Sequence, residues 1–233
     1  MNIMKNLFSF LILLISFSLT AQKEITKEVK YENQSVKVEF PFASDIQIKT
    51  WDKSSIKVEA SISTEDEKYI EMFDLHISSD ESLIQIESNS KDIFKIFQDE
   101  IGDSSGRYHI GSDHEFNYVL YIPKNVDLKV SSITANVFSK FLQGDIDIKV
   151  VSGDIEVEKH QGNLKLKTVA GKIEAVYDNA SVMAKTVVGE IYTSKTLNLD
   201  IKEKFVGQEV SMEIENAKNS LSLTTVNGDI YLK

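Results

Sequence analysis

Glycine recurs every nine residues through the second half of the chain, and this spacing constrains the fold more than any other feature. The series begins at position 144 and shifts once, by three positions, before its last member. A fixed short period is typical of repeat proteins, in which each unit buries its apolar face against the next. The glycines of the series are Gly144, Gly153, Gly162, Gly171, Gly189, Gly207 and Gly228.

Each glycine opens a short run in which apolar and polar residues alternate. After Gly153, for example, Ile155 and Val157 are apolar, and Asp154 and Glu156, which precede them, are charged. Alternation with period two predicts a strand, and glycine suits the turn before it because it adopts positive φ without strain. The apolar residues two places after a glycine, which we expect to face a core, include Ile146, Ile155, Leu164, Ile173, Ile191 and Ile230.

The nine-residue units also come in pairs. The segments TVAGKIEA (168–175) and TVVGEIYT (186–193) start 18 residues apart, and TVNGDIYL (225–232) closely matches both. We therefore predict an all-β protein whose residues 123–233 form a β-solenoid, with about 18 residues and two short strands per coil. In this arrangement the valines of the three segments, Val169, Val187 and Val226, are predicted to face inward.

Residues 22–122 are predicted to form a β-rich region that caps the solenoid or continues its stack. Their alternating segments are typical of strands, and the polar residues TWDKSS (50–55) predict a hairpin across 46–62. Trp51 is expected to pack at the mouth of this hairpin, in preference to a sugar-stacking role. Short helices are predicted only within 64–74 and 91–101.

Residues 1–21 have the composition of a signal peptide. Lys5 precedes an uncharged apolar run, and a small residue, Ala21, stands before the expected cleavage site. We expect export to the periplasm, the outer cell surface or the medium, without stable membrane insertion after cleavage. The chain has no cysteine, which excludes disulfides and cysteine-based sites.

Charge excludes another class of function. The chain has 26 Lys+Arg against 36 Asp+Glu, a formal net charge of −10, and the two signs are interspersed. Nucleic acids and anionic membranes are bound through extended basic surfaces, so neither is expected as a partner.

One stretch resembles a known family. The strand that ends in Ile122-Pro123-Lys124-Asn125 is followed by Val-x-Gly-Asp-Ile at 151–155 and by variants at 169–173, 187–191 and 226–230. This pattern is similar to the bacterial "putative adhesin" family of exported β-strand-repeat proteins, a domain of unknown function. The resemblance covers about 116–233. It implies a β-solenoid and brings no catalytic residues with it.

No catalytic, cofactor-binding or metal-binding residue is predicted. A calcium roll needs clustered glycine and aspartate, whereas Lys172 follows one of these glycines. His109, Asp113, His114 and Glu115 have zinc-binding side chains, but we interpret their segment as a solvated loop. The acidic residues Asp145, Asp147, Asp154, Glu156 and Glu158 are interpreted as a solvated strand face, although paired carboxylates could also act on polysaccharides.

An aromatic group remains, at Phe116, Tyr118, Tyr121, Phe138 and Phe141. It could form a docking patch for protein or glycan, or it could cap the apolar end of the stack; capping is the preferred interpretation. The sequence thus favours a non-enzymatic envelope or surface scaffold with adhesin-like binding. The alternatives are a periplasmic structural or stress-related protein and a polysaccharide-active enzyme.

Overall fold

A computed structural model describes residues 21–64, 67–101, 114–193, 200–203 and 207–233. The predicted signal peptide lies outside these ranges except for Ala21. Within them the chain forms one continuous sheet and the helices α1 (Glu67–Met72) and α2 (Ser90–Ile101). The all-β prediction is confirmed, and both predicted helical segments contain a short helix.

The sheet bends so that its strands form two rows. In spatial order, the first row contains β5 (Leu75–Ser79), β6 (Leu83–Ser88), β2 (Ser35–Glu39), the first part of β8 (Val126–Ser139), β9 (Leu142–Ser152), β11 (His160–Lys167), β17 (Asn219–Thr224), β13 (Ala180–Thr186), β16 (Gln208–Met212) and β15 (Asp200–Glu203).

The second row uses the remaining strands together with the second part of β8. In spatial order it contains β1 (Ala21–Lys30), β4 (Ser55–Thr64), β7 (Glu115–Pro123), β3 (Phe42–Trp51), β8, β10 (Ile155–Val157), β12 (Ile173–Ala175), β18 (Ile230–Leu232) and β14 (Ile191–Thr193).

One hydrophobic core lies between the two rows. It is continuous from the N-terminal strands to the C-terminal ones, because β2 and β3 both pair in parallel with β8. Burial alternates along the strands as period-two patterning requires. Of the apolar residues expected to face a core, Ile191 is partly buried, and Ile146, Ile155, Leu164, Ile173 and Ile230 are buried.

Parallel neighbours from β8 to β12 are offset by 18 residues. Gly162 pairs with Gly144 in the first row, and Ile173 pairs with Ile155 in the second. Polar side chains bridge the same offset, as where Asn163 Nδ2 donates to Asp145 Oδ1 at 2.6 Å.

The last strands of the chain break this order. β17 lies between β11 and β13, and β18 lies between β12 and β14. Leu221, for example, pairs with Leu164 on one side and with Val182 on the other. Segments 162–175 and 180–193 are consecutive in sequence, yet the C-terminal segment separates them. Sequential stacking of the repeats is therefore wrong at this point.

The N-terminal region contains a similar insertion. β7 pairs with β3 on one side and with β4 on the other, so that Tyr118 lies beside both Ile46 and Ala60. The predicted hairpin across 46–62 is therefore wrong, although both of its strands exist. β3 and β4 have ten residues each, so β7, which has nine, can form backbone hydrogen bonds along its length on both sides. A direct pairing of β3 with β4 would remove these bonds.

All seven glycines of the series have positive φ and lie close to the backbone of a neighbouring strand. Gly153 has φ of 136°, and a Cβ there would lie 1.9 Å from the carbonyl oxygen of Ala135 on the neighbouring rung. The rungs approach so closely that no side chain fits. Gly207 differs from the rest of the predicted series, because it lies against Thr186 and Val187 beside the antiparallel strand β16.

The valines expected to face inward point outward instead. Val169 is 40% exposed and Val226 is 38% exposed, and Val187 is only partly buried. The inward position at this corner belongs to the preceding threonine, as where buried Thr225 donates through Oγ1 to the carbonyl oxygen of Gly171 at 3.1 Å. A hydroxyl that satisfies a corner carbonyl is favoured there over a valine methyl group.

Strand β1 lies at the outer edge of the second row, where it pairs only with β4 among the described residues. Two lysines on its inward side protect this edge. Lys23 Nζ donates to the carbonyl oxygens of Ile70 and Phe73, both at 3.3 Å, and Lys27 Nζ donates to that of Leu75. Inward-pointing charges of this kind discourage pairing with another chain.

Candidate binding surface

The outer face of the second row carries a group of aromatic and lysine side chains where β4, β7, β3 and β8 lie side by side. Tyr121 on β7 is flanked by Lys57 on β4 and by Lys49 on β3. All three point outward because their positions alternate with buried residues. We call the whole group the aromatic–lysine patch; its residues are Lys49, Trp51, Lys53, Lys57, Tyr121, Phe138, Lys140 and Phe141.

Trp51, the one tryptophan of the chain, lies at the rim of the patch. Its ring centroid is 5.1 Å from that of Tyr121. Its indole Nε1 donates to the carbonyl oxygen of Ser55 at 2.8 Å, which fixes the ring at the end of β3. The ring remains partly exposed. Trp51 therefore packs near the β3–β4 connection, as predicted, and also contributes surface.

Lysine ammonium groups lie over both rings. Lys57 Nζ is 4.0 Å from the Tyr121 centroid and 5.6 Å from that of Trp51. Lys49 lies 5.3 Å from Tyr121, and Lys53 lies 4.8 Å from Trp51. Aromatic faces attract cations through the ring quadrupole, so the rings hold the ammonium groups close to the sheet.

One carboxylate neutralises part of this charge. Lys57 Nζ donates to Glu59 Oε1 at 2.6 Å, and Tyr121 Oη donates to Glu59 Oε2 at 3.0 Å. The hydrogen bond from Lys57 is the main reason that the pKa of Glu59 is lowered, and the same bond raises the pKa of Lys57. Glu59 thus orients Lys57 and Tyr121 together.

Shallow depressions flank the patch. One of about 410 Å³ is lined by Gln47, Lys49, Phe138, Lys140 and Phe141, with parts of the β3 backbone. Its floor is fixed where Thr50 Oγ1 donates to the carbonyl oxygen of Phe141 at 2.7 Å. A second, of about 490 Å³, continues along the face past Phe138 toward Asp154, Glu156 and Lys172.

The structure divides the predicted aromatic group. Phe116 and Tyr118 are each 1% exposed and pack in the core, where the Tyr118 ring stacks on Phe40 with centroids 3.9 Å apart. Tyr121, Phe138 and Phe141 lie on the outer face instead. The sequence analysis preferred packing for Trp51 over sugar stacking and did not connect this residue with the outer face. The sequence spacing could have shown this, because Gln47, Lys49 and Trp51 are two residues apart and therefore share one face of a strand.

The other end of the same face carries a second aromatic pair. The rings of Tyr192 and Tyr231 stack with centroids 5.0 Å apart. Tyr192 Oη donates to Glu190 Oε2 at 2.7 Å, and this bond is the main cause that raises the pKa of Tyr192 to about 12. The acidic residues around this pair distinguish it from the aromatic–lysine patch.

The acidic residues considered for catalysis lie on two different faces. Asp145 and Asp147 are on the first row, and Asp154 and Glu156 are on the second. Asp147 pairs with Lys149 at 2.9 Å. The interpretation that these carboxylates project from one side is therefore wrong, because the corner at Gly153 separates them.

Carboxylates that follow the corner glycines accept hydrogen bonds from backbone N–H groups of the neighbouring rung. Asp154 Oδ1 accepts a hydrogen bond from the backbone N–H of Lys172 at 2.7 Å, and Asp229 Oδ1 accepts one from that of Glu190 at 2.9 Å. These bonds link one rung to the next. They account for acidic residues after the glycines without a bound cation.

Of the predicted histidine segment, His109 and Asp113 lie outside the described residues. His114 is buried and packs edge-on against Phe97 and Tyr69, with centroid distances of 4.8 and 5.4 Å. Its interpretation as a solvated side chain is wrong. No cluster of three or more His, Cys, Asp or Glu suited to a metal occurs within the described ranges. These ranges also contain no helix long and apolar enough to span a membrane.

Residues 122–233, which contain the repeat and its glycine corners, match the family model described as Toastrack DUF4097. This segment is a Toastrack DUF4097 domain. Tyr121 lies next to its first residue, so the aromatic–lysine patch spans the junction between the Toastrack domain and the strands before it.

A solved structure extends the likeness beyond the Toastrack domain. A "putative cell adhesion protein" from Clostridium sporogenes ATCC 15579 is 13% identical, with 91% of this chain and 99% of that chain covered and a TM-score of 0.57. The two proteins share a fold. A "putative adhesin" from Bacteroides fragilis NCTC 9343 is also 13% identical over 92% of this chain and 99% of that chain, with a TM-score of 0.34. A comparison with curated proteins gave no match.

Proposed function

We propose that this chain is an exported, non-enzymatic binding protein of the cell envelope or surface. In this proposal, a β-solenoid with coils of about 18 residues presents the outer face of the second row to a protein or glycan partner. The observation that carries the proposal is the aromatic–lysine patch, in which Trp51, Tyr121 and three lysines are held on a hydrogen-bonded sheet.

A rigid sheet suits this role. Side chains on paired strands lose little further freedom when a partner binds, and partly exposed aromatic rings supply contact area at low entropic cost. The name of the C. sporogenes structure is consistent with adhesion, and the expected signal peptide is consistent with export.

Export and exposure are tested by fractionation and by protease treatment of intact cells. Cleavage of the chain on whole cells would support a surface role. Recovery of uncleaved chain from the cytosolic fraction alone would overturn the proposal. Protection until the outer envelope is opened would replace the surface location with the periplasm and would remove the adhesin-like role.

Binding is tested with purified full-length protein and sedimented envelope fragments. We expect the Trp51→Ala/Tyr121→Ala variant to lose most of its co-sedimentation. The matched control is Met183→Ala/Val188→Ala, which removes two side chains, 57% and 59% exposed, that lie outside the patch. Equal loss in both variants, or no loss in either, would contradict the assignment of the binding surface.

A further inference from the structure

The aromatic–lysine patch is locally basic on an acidic chain. The formal net charge is −10, yet five lysines lie at or beside the patch. Lys57 is paired with Glu59, and Lys124, at the edge, is paired with Asp52 at 2.6 Å. Among the residues that the structure describes, no ion pair involves the other three, which are Lys49, Lys53 and Lys140.

The cations and rings lie in a line across the strands. Lys57, Tyr121 and Lys49 occupy adjacent positions on β4, β7 and β3. Neighbouring strands are about 4.8 Å apart, so the line presents a cation or a ring at each such step. Lys140 continues it, because it lines the same depression as Lys49, and Lys53 lies beside it, over the Trp51 ring that packs near Tyr121.

Two of these lysines contact aromatic ring faces instead of carboxylates. Lys49 and Lys53 each rest over a ring, at 5.3 and 4.8 Å from its centroid, and neither forms an ion pair with a carboxylate among the described residues. Lys49 acts on Glu59 only at longer range, where it adds to the hydrogen bond from Lys57 that lowers the pKa of Glu59. A cation–π contact at an exposed site is weak, so a charged ligand group can replace it at little cost. The ligand that completes these contacts is anionic.

Phe138 and Phe141 provide apolar surface beside the cations. Both line the depression of about 410 Å³ with Lys49 and Lys140. An aromatic wall next to an ammonium group suits a sugar ring that carries an acidic substituent, because the ring's C–H face packs on the aromatic and the acid pairs with the lysine. An acidic peptide has no such flat apolar face, and the strands under the patch are already paired on both sides.

The rest of the face excludes a broad anionic surface. Asp45, Asp154 and Glu156 continue the same face next to Phe138. A planar anionic membrane would contact these carboxylates as well as the lysines, and like charges would repel it. A single polymer strand that follows the line of lysines avoids them.

We infer that the aromatic–lysine patch binds an anionic polysaccharide, with acidic substituents on Lys49, Lys53 and Lys140 and sugar rings against Phe138 and Phe141. This inference rests on the proposed function for its biological setting, but its site and chemistry are tested independently.

Trp51 fluorescence is the readout, because the chain has one tryptophan and it lies in the patch. Full-length protein titrated with polygalacturonate should show a saturable change that weakens steeply with added salt. Dextran, an uncharged polysaccharide, should produce none. Lys49→Gln/Lys53→Gln/Lys140→Gln should weaken binding about tenfold, since each exposed ion pair contributes a few-fold.

The matched control is Lys129→Gln/Lys165→Gln/Lys167→Gln, which removes three exposed lysines from the first row. It should bind as the unmodified protein does. Phe138→Ala should weaken polygalacturonate binding without changing its salt dependence. An equal effect of both lysine triples would overturn the inference, because it would mean that net charge rather than the patch controls binding.

Two further ligands separate the alternatives. Binding to phosphatidylglycerol vesicles but not to polygalacturonate would replace the polysaccharide by a membrane, and equal binding of poly-glutamate would reduce the site to a charge contact. Either result overturns the inference. If the protein binds envelope fragments through Trp51 and Tyr121 but does not bind polygalacturonate, the polysaccharide inference is overturned and the proposed function stands. If the chain binds polygalacturonate but is found only in the cytosol, the proposed function is overturned and the polysaccharide inference stands.

Discussion

Cysteine pairs on the first row can establish the order of its strands, because the chain has no cysteine of its own. Lys165 on β11 lies directly beside Ser222 on β17, and both side chains are on the outer face. Met183 on β13 lies one strand further away, beside Ser222. If the repeats stacked in sequence order, Met183 rather than Ser222 would be the neighbour of Lys165.

The expected distances separate the two arrangements. Neighbouring strands place the Cα atoms of residues 165 and 222 about 4.8 Å apart, within the range of a disulfide, and place those of 165 and 183 about 9.6 Å apart, beyond its limit of about 7 Å. Lys165→Cys/Ser222→Cys should therefore oxidise within one chain. Lys165→Cys/Met183→Cys should remain reduced or form dimers.

Stability provides a second measurement on the same variants. A link across the offset of 57 residues between β11 and β17 should stabilise the fold by up to about 4 kcal/mol through restriction of the unfolded chain. The oxidised Lys165→Cys/Ser222→Cys protein should lose this gain when reduced. Efficient oxidation of Lys165→Cys/Met183→Cys within one chain would refute the insertion of β17.

Two further stability predictions follow from the corner geometry. Gly153→Ala should destabilise the protein by about 3–5 kcal/mol, because its Cβ would lie 1.9 Å from the Ala135 carbonyl oxygen at a φ of 136°. The control Ser152→Ala, at the exposed neighbouring position, should change the melting temperature little. Equal melting temperatures of the two variants would contradict the close approach of the rungs at Gly153. Burial lowers the pKa of His160, so its contribution to stability is present above the unfolded value of about 6.5 and is lost as the pH falls toward the lower folded value, by at most about 1.4 kcal/mol per pH unit. Denaturant unfolding from pH 7.5 to 5.5 should show this slope for unmodified protein and for the exposed-site control His76→Gln but not for His160→Asn; an unchanged slope in His160→Asn would assign it to other groups.

The sequence predicted the contents of each rung better than the order of the rungs. Which residues of IEV (155–157) face the core is a local property, because side chains alternate along any strand. Which strands pair with each other is not a local property. TVAGKIEA (168–175), TVNGDIYL (225–232) and TVVGEIYT (186–193) present nearly the same apolar pattern, so each can stack on either of the others, and the pattern cannot reveal that 225–232 lies in the middle.

The candidate site was predictable in part for the same reason. From the sequence, Tyr121, Phe138 and Phe141 were grouped as an aromatic cluster, with a docking patch as the alternative to the preferred capping role. The neighbouring strands that bring Lys57 and Lys49 to Tyr121 depend on the insertion of β7 between β3 and β4. The valines at the corner were misplaced because a turn breaks the simple alternation, and a threonine hydroxyl takes the inward position.

The place of β17 and β18 affects when this protein can fold. Asn219–Thr224 and Ile230–Leu232 follow in the chain the strands that they separate, so rungs on both sides depend for hydrogen bonds on segments that are synthesised later. Until they are present, the native order of β11, β17 and β13 cannot form. The native stack therefore cannot be complete until these later segments have been synthesised.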